Sequence, residues 1–155
     1  APKHVQQFLN EGHLRWDSLG EFLALAVSIE DISEKTGNLS AKTLSDALNE
    51  ANSRYLAENK SPSRRVNELD NRGSHFYLAM FWAEALVNNN EDPSLADKFK
   101  KIAKLLADNE EIINQEMLDA QGSPIDIGGY YQPDKLITSS VMRPSATFNA
   151  IIDSL

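Results

Sequence analysis

Residues 74–87, SHFYLAMFWAEALV, carry apolar side chains on nearly every face of a helix, whereas a helix lying on a surface keeps a polar side. Such a segment is predicted to be the central helix of a core, sheathed by others, with Ser74 standing where an N-cap belongs. Outward on the C-terminal side, residues 88–93, NNNEDP, form a turn in which Asp92 can cap a helix opening on Pro93. Phe99, Ile102, Leu106, Ile113 and Met117 then fall on one face, opposite Lys98, Lys100, Lys101 and Lys104, which predicts one long helix ending near Gly122. Outward on the other side, Leu44, Leu48, Ala51 and Tyr55 make an apolar ridge backed by Lys42, Asp46, Asn49 and Glu50, in a helix ending near Lys60 ahead of Pro62.

The remaining elements follow from the same signals. Ser18 and Glu21 have the spacing of a capping box before the stripe Leu19, Phe22, Leu23, Ala26 and Ile29, a helix running to about Glu34 that Lys35 and Gly37 close. Pro2 sits at the first turn of a short helix over 3–11, stopped near Gly12. Ser145 caps a last helix whose edge is Phe148, Ile151, Ile152 and Leu155. Residues 60–73, KSPSRRVNELDNRG, read as a loop with at most one helical turn. Residues 123–134, SPIDIGGYYQPD, read as an irregular loop with a short extended piece at 125–127 and with Tyr130 and Tyr131 as anchors. The expected fold is mainly α: one packed helical unit over 1–155 with one irregular, glycine-containing loop.

Composition bounds the function. At 155 residues, 41% hydrophobic and 25% charged, the chain has apolar side chains for one core. A net charge of -8 argues against nucleic acid as a partner, because that affinity comes from many cations facing phosphates. With no Cys there is no disulfide framework, thiolate nucleophile or Cys-ligated zinc, and a cytoplasmic address is the simpler reading. The longest apolar run, 19–29, contains Glu21 and falls short of the roughly 20 residues that span a bilayer, so no membrane anchor is expected. An opening at Ala1 rather than Met suggests a processed start or a piece of a longer protein.

Self-contained catalytic signatures are absent: no GxGxxG, no phosphate loop ending in Gly-Lys-Ser/Thr, no GxSxG, no HExxH. His4, His13 and His75 lack metal-ligand spacing, and adjacent Ser74 and His75 point about 100° apart on a helix, unlike a nucleophile and its base. What stands out is a set of cations. Lys3, His4 and Arg15 flank the first helix, and Arg64 and Arg65 follow Ser61 and Ser63 in SPSRR, where hydroxyls, loop NH groups and guanidinium forks can surround a phosphate. The other reading is that these arginines pair with Asp17, Glu68 and Asp70 as ordinary surface ion pairs. A different class of function is a stand-alone helical interaction module that docks a partner on 76–86. Accessibility of Phe76, Phe81 and Trp82 discriminates the two.

Three blocks, APKHVQQFLNEGHLRWDSLGEFLALA (1–26), SPSRRVNELDNRGSHFYLAMFWAEAL (61–86) and DIGGYYQPDKLITSSVMRPSATFNAII (126–152), resemble the C-terminal part of monomeric-type NADP-dependent isocitrate dehydrogenase. The resemblance spans nearly the whole chain, with 36–58 the least distinctive stretch. It implies a larger enzyme of two α/β domains, of which this is the helical C-terminal portion, catalysing oxidation and decarboxylation of isocitrate to 2-oxoglutarate with NADP and a magnesium or manganese ion. It places the catalytic and metal-binding residues upstream of Ala1, so that this segment carries none and, alone, is expected to be inactive. It carries NADP-binding roles onto His4, onto Arg15, Trp16 and Asp17 of RWD, and onto Arg64 of SPSRR, with Arg65 the neighbouring alternative.

Overall fold

The computed structural model describes residues 2–128, 132 and 134–155. Among them are eight helices and no strand: α1 (Pro2–Glu11), α2 (Leu19–Thr36), α3 (Leu39–Ala57), α4 (Asn71–Asn88), α5 (Pro93–Asp108), α6 (Glu110–Asp119), α7 (Lys135–Met142) and α8 (Ala146–Asp153). Sequence neighbours pack as neighbours, α2 on α3, α3 on α4 and α4 on α5, and α8 closes against α5 and α6. Helix α4 is the centre. Phe76 and Phe81, at or below 2% exposure, cluster with Leu48 and Tyr55 of α3, Leu106 of α5 and Ile113 of α6, which are equally enclosed, while Leu86, at 2%, clusters with Ala47 of α3. Full burial of each such side chain contributes about 1.5–3 kcal/mol, so this helix, apolar all round, is where the chain's hydrophobic stabilisation concentrates.

The caps at the other helices hold where expected. The Asp92 carboxylate accepts from the Leu95 NH with Pro93 at the first position of α5, and the Ser145 hydroxyl accepts from the Phe148 NH. Gly37 closes α2 in the left-handed region at φ 70°. Gly12 closes α1: its φ is +66°, and a Cβ there would sit 2.9 Å from the Ala120 carbonyl oxygen. The chain can therefore turn out of α1 and run directly against the end of α6.

Four local expectations are corrected. Helix α4 starts at Asn71, not Ser74, because the Asp70 carboxylate accepts from the Arg72 and Gly73 NH groups; Ser74, one turn in, donates instead to the Lys60 carbonyl. The capping box at Ser18 does not form: the Ser18 hydroxyl makes no cap bond and accepts from Asn71 Nδ2, while Asp17 takes the Leu19 NH. The long helix is two, broken at Asn109, whose side chain donates to the Leu105 carbonyl and competes with the backbone ladder. Residues 135–142, for which the periodicity gave no helix, form α7 with Asp134 as its cap and no buried residue, so burial provides no apolar stripe to read. Tyr130 and Tyr131 lie outside the described residues.

Candidate functional site

The candidate cations sit where three irregular segments are stitched together. The stretch 12–18 leaves α1 and is held by the loop 60–70 and the start of α4. The Asn71 NH donates to the Leu14 carbonyl (2.7 Å), Asn71 Nδ2 donates to the Trp16 carbonyl (2.8 Å), and the Leu14 NH donates to Asp70 (3.2 Å). Below these bonds, Arg72 and Asp70 form an ion pair with side chains 2% and 0% exposed. The Arg72 fork reaches Asp70 Oδ2 from Nε at 3.0 Å and from Nη2 at 2.6 Å, and also donates to the carbonyls of Gly12 and Val141. A buried pair with its remaining donors satisfied is the arrangement in which two charges can stay desolvated. Reading Arg72 as one more cation of a basic loop, or Asp70 as a surface partner for Arg64, misplaces both.

On this base, contacts tie His4 of α1 to Arg15 and Trp16, beside Asp17, and tie α1 to the backbone of Arg64. The His4 ring stands edge-on to Trp16 with centroids 6.2 Å apart. Burial first, and then the neighbouring Arg15 charge, lower the His4 pKa below its ordinary value. One turn further along α1, Gln7 Nε2 donates to the Arg64 carbonyl at 2.9 Å, which brings the SPSRR loop against the face of α1 that carries His4. Trp16 is 45% exposed, and its indole NH donates to Glu21 at 3.1 Å. Asp17 Oδ1 accepts from the Leu19 NH and from the Tyr55 hydroxyl. Burial pushes the Tyr55 hydroxyl up to about 12, and the Asp17 charge adds to the shift.

Two electrostatic features distinguish this corner. First, among the described residues no carboxylate lies within 4.0 Å of Arg15, Arg64 or Arg65, so the expected pairings with Asp17, Glu68 and Asp70 are not made. Each of those carboxylates has another partner: Tyr55 for Asp17, the Ser63 hydroxyl for Glu68, Arg72 for Asp70. Second, His4 Nδ1, Gln7 Oε1 and Arg15 Nε are inaccessible to solvent and have no hydrogen-bond partner. A desolvated polar atom without a partner costs about 1–3 kcal/mol, and these three belong to side chains that adjoin one another at this corner. Several of the loop donors that could cradle a phosphate are used within the protein. The Ser63 NH goes to Leu69, the Arg65 NH to the Ser63 hydroxyl and the Asn67 NH to Gln121.

The remaining candidates resolve differently. Phe76 and Phe81 are buried and Trp82 is half-buried with its indole NH donating to the Leu44 carbonyl, so α4 offers no docking face for a partner. His75 is exposed and bonds its own helix at the Asn71 carbonyl, 2.8 Å away, and is not paired with Ser74. Two cavities of about 350 and 300 Å³ flank α8, one lined by His75, Met117, Arg143 and Phe148, the other by Trp82, Phe99, Leu106 and Leu155. Neither includes the candidate cations. Among the described residues no cluster of three His, Asp or Glu is placed to hold a metal ion, and no helix is long and apolar enough to cross a membrane. Sequence reasoning missed Gln7, His13, Asn71 and Gln121, which organise the corner; their signal, bonds between residues 50 or more positions apart, is not a local one.

Fold and site together define a scaffold, helical among the described residues, that presents arginines without carboxylate partners at one corner of a chain of net charge -8. The family model for monomeric isocitrate dehydrogenase matches residues 1–153. The chain is 54% identical over all 155 residues to isocitrate dehydrogenase [NADP] 2 of Mycobacterium tuberculosis, 56% to isocitrate dehydrogenase [NADP] of Azotobacter vinelandii and 55% to isocitrate dehydrogenase [NADP] 2 of Colwellia maris. It belongs to the monomeric isocitrate dehydrogenase family. It spans 21% of the length of each of these relatives.

Proposed function

We propose that this chain is the C-terminal segment of an NADP-dependent isocitrate dehydrogenase and forms the part of its cofactor site that holds the 2′-phosphate and adenosine. The observation that carries the reading is the coincidence of unpaired Arg15 and Arg64 with the partnerless Nδ1 of His4 and Nε of Arg15, on a chain whose net charge is -8. NADP differs from NAD by one phosphate, and guanidinium forks and an imidazole NH are the donors that recognise it. In this arrangement Arg15 and Arg64 grip the phosphate oxygens and His4 adds a third donor. Trp16, nearly half exposed, offers an aromatic face to the adenine. Asp17 keeps Oδ2 for a ribose or base donor while Oδ1 is fixed by Tyr55.

In the full-length enzyme the reaction is oxidation and decarboxylation of isocitrate with hydride transfer to NADP. The substrate ligands, the acid and base, and the carboxylates for magnesium or manganese are supplied by the rest of the longer chain. The test is the ratio of kcat/KM for NADP to that for NAD in the full-length enzyme carrying Arg15→Ala or Arg64→Ala. Loss of one charged contact to phosphate is expected to lower the ratio by about 10- to 100-fold, or roughly 1.5–3 kcal/mol. An unchanged ratio in both variants refutes the assignment. Arg65→Ala is expected to have the smaller effect, since it is the Arg64 carbonyl that Gln7 anchors.

A further inference from the structure

We infer that His13 and Gln121 are positioning residues for NADP selectivity: together they clamp the loop bearing Arg64 to the body of the protein. The inference rests on the reading of Arg64 as a phosphate ligand. Loop 60–70 contains no regular helix of its own, so its shape comes from whatever holds its backbone. His13 is 0% exposed, with Nε2 2.7 Å from the Ser63 carbonyl, immediately before Arg64, and Nδ1 2.6 Å from Gln121 Oε1. Gln121 takes hold of the far side of the loop: Oε1 accepts from the Asn67 NH at 2.8 Å and Nε2 donates to the Glu68 carbonyl at 2.8 Å. Those two bonds also fix which amide atom faces His13, because only oxygen can accept from Asn67 and only nitrogen can donate to Glu68. The residues between the gripped points, 64–66, include Arg64 and Arg65, which carry the guanidinium groups.

The clamp is itself fixed. His13 follows Gly12, whose carbonyl accepts from Arg72, and Gln121 precedes Gly122, whose NH donates to the Glu11 carbonyl at 2.7 Å. The Gln121 NH donates to the Leu118 carbonyl at 3.0 Å, tying it to the end of α6. Both clamping side chains lie inside the protein, His13 at 0% and Gln121 at 8% exposure. They act on cofactor choice through the position of Arg64, and a displacement of a charged donor by about 1 Å is enough to lose much of a directed contact.

The test uses the full-length enzyme with Gln121→Leu, Gln121→Glu and His13→Asn, beside Arg64→Ala. Gln121→Leu is expected to raise KM for NADP about tenfold with kcat within about twofold and with kcat/KM for NAD unchanged. Gln121→Glu keeps the acceptor for the Asn67 NH but sets a carboxylate oxygen against the Glu68 carbonyl, so it too is expected to raise KM for NADP with kcat/KM for NAD unchanged. A fall in kcat with equal losses for NADP and NAD, or wild-type selectivity in both folded Gln121 variants while Arg64→Ala loses it, overturns the inference. If Gln121→Leu does not fold, Gln121→Glu and His13→Asn decide by the same criterion. If Arg64→Ala itself leaves the NADP preference intact, the phosphate-site reading fails and the clamp's role in selectivity fails with it.

Discussion

Replacing Asp70 by Ala should cost this chain about 4–5 kcal/mol of stability, and the structure says where that figure comes from. The carboxylate accepts from Arg72 Nε and Nη2 inside the protein, from the Arg72 and Gly73 NH groups as the cap of α4, and from the Leu14 NH. Loss of a side-chain cap costs about 1 kcal/mol. Leaving a buried guanidinium without its anion costs about 3–5 kcal/mol, partly offset because Arg72 keeps the Gly12 and Val141 carbonyls. Arg72→Met should cost less, since Asp70 then still accepts from three backbone NH groups. The double variant removes both charges and should recover about 2–3 kcal/mol relative to the sum of the singles. Urea unfolding of the 155-residue chain, followed by circular dichroism, measures all three differences at a common m-value. A cost below about 1.5 kcal/mol for Asp70→Ala, or strict additivity in the cycle, refutes a desolvated, mutually dependent pair.

The other expectations concern charge and packing. A bound phosphate raises the His4 pKa from its depressed free value, so the gain in NADP affinity is fully present below the free-state pKa and is lost as pH rises through the bound-state value. KM for NADP should therefore fall as pH is lowered through the bound-state His4 pKa, and less so in His4→Gln; parallel profiles in the two proteins would exclude His4 from the pocket. Burial raises the Tyr55 and Tyr77 hydroxyls to about 12. Their neutral forms thus add stability that is complete below about pH 10 and disappears as pH passes 12. Tyr55→Phe should remove roughly 2–3 kcal/mol of that alkaline loss in unfolding curves taken at successive pH values. Ile113→Ala, at a fully enclosed position between α4 and α8, should cost about 2–5 kcal/mol and lower the thermal midpoint without changing the far-ultraviolet spectrum of the folded protein.

How much of this was legible from the sequence depends on the range of the interaction. Helix α4 declared itself because an unbroken apolar surface has no other use in water, and the Asp92 and Ser145 caps declared themselves because their partners lie three residues away. The break at Asn109 hid behind a hydrophobic face that continues across it from Leu106 to Ile113. The N-terminus of α4 was misread because Asp70, Arg72 and Gly73 looked like loop chemistry when counted by composition. Their placement is set by Leu14 and Gly12, more than fifty positions earlier. Helix α7 carries Leu136 at 85% exposure and Ile137 at 42%, so neither burial nor pattern marked it, and the Asp134 cap was its one local sign.

For the site, sequence named the cations but could not say whether they were free. Proximity along the chain favours pairing of Arg15 with Asp17 and of Arg64 and Arg65 with Glu68, and on an acidic chain that is the ordinary fate of an arginine. The fold prevents it by committing each carboxylate elsewhere: Asp17 to Tyr55 and the start of α2, Glu21 to Trp16, Glu68 to Ser63, Asp70 to Arg72. Only Asp70 is given a guanidinium. Three of the four hand an anion to a neutral donor while a guanidinium stands nearby in sequence. A corner arranged only for stability would have closed those pairs. Leaving them open makes sense where the counter-charge arrives from outside, which is the condition a phosphate-bearing cofactor would meet.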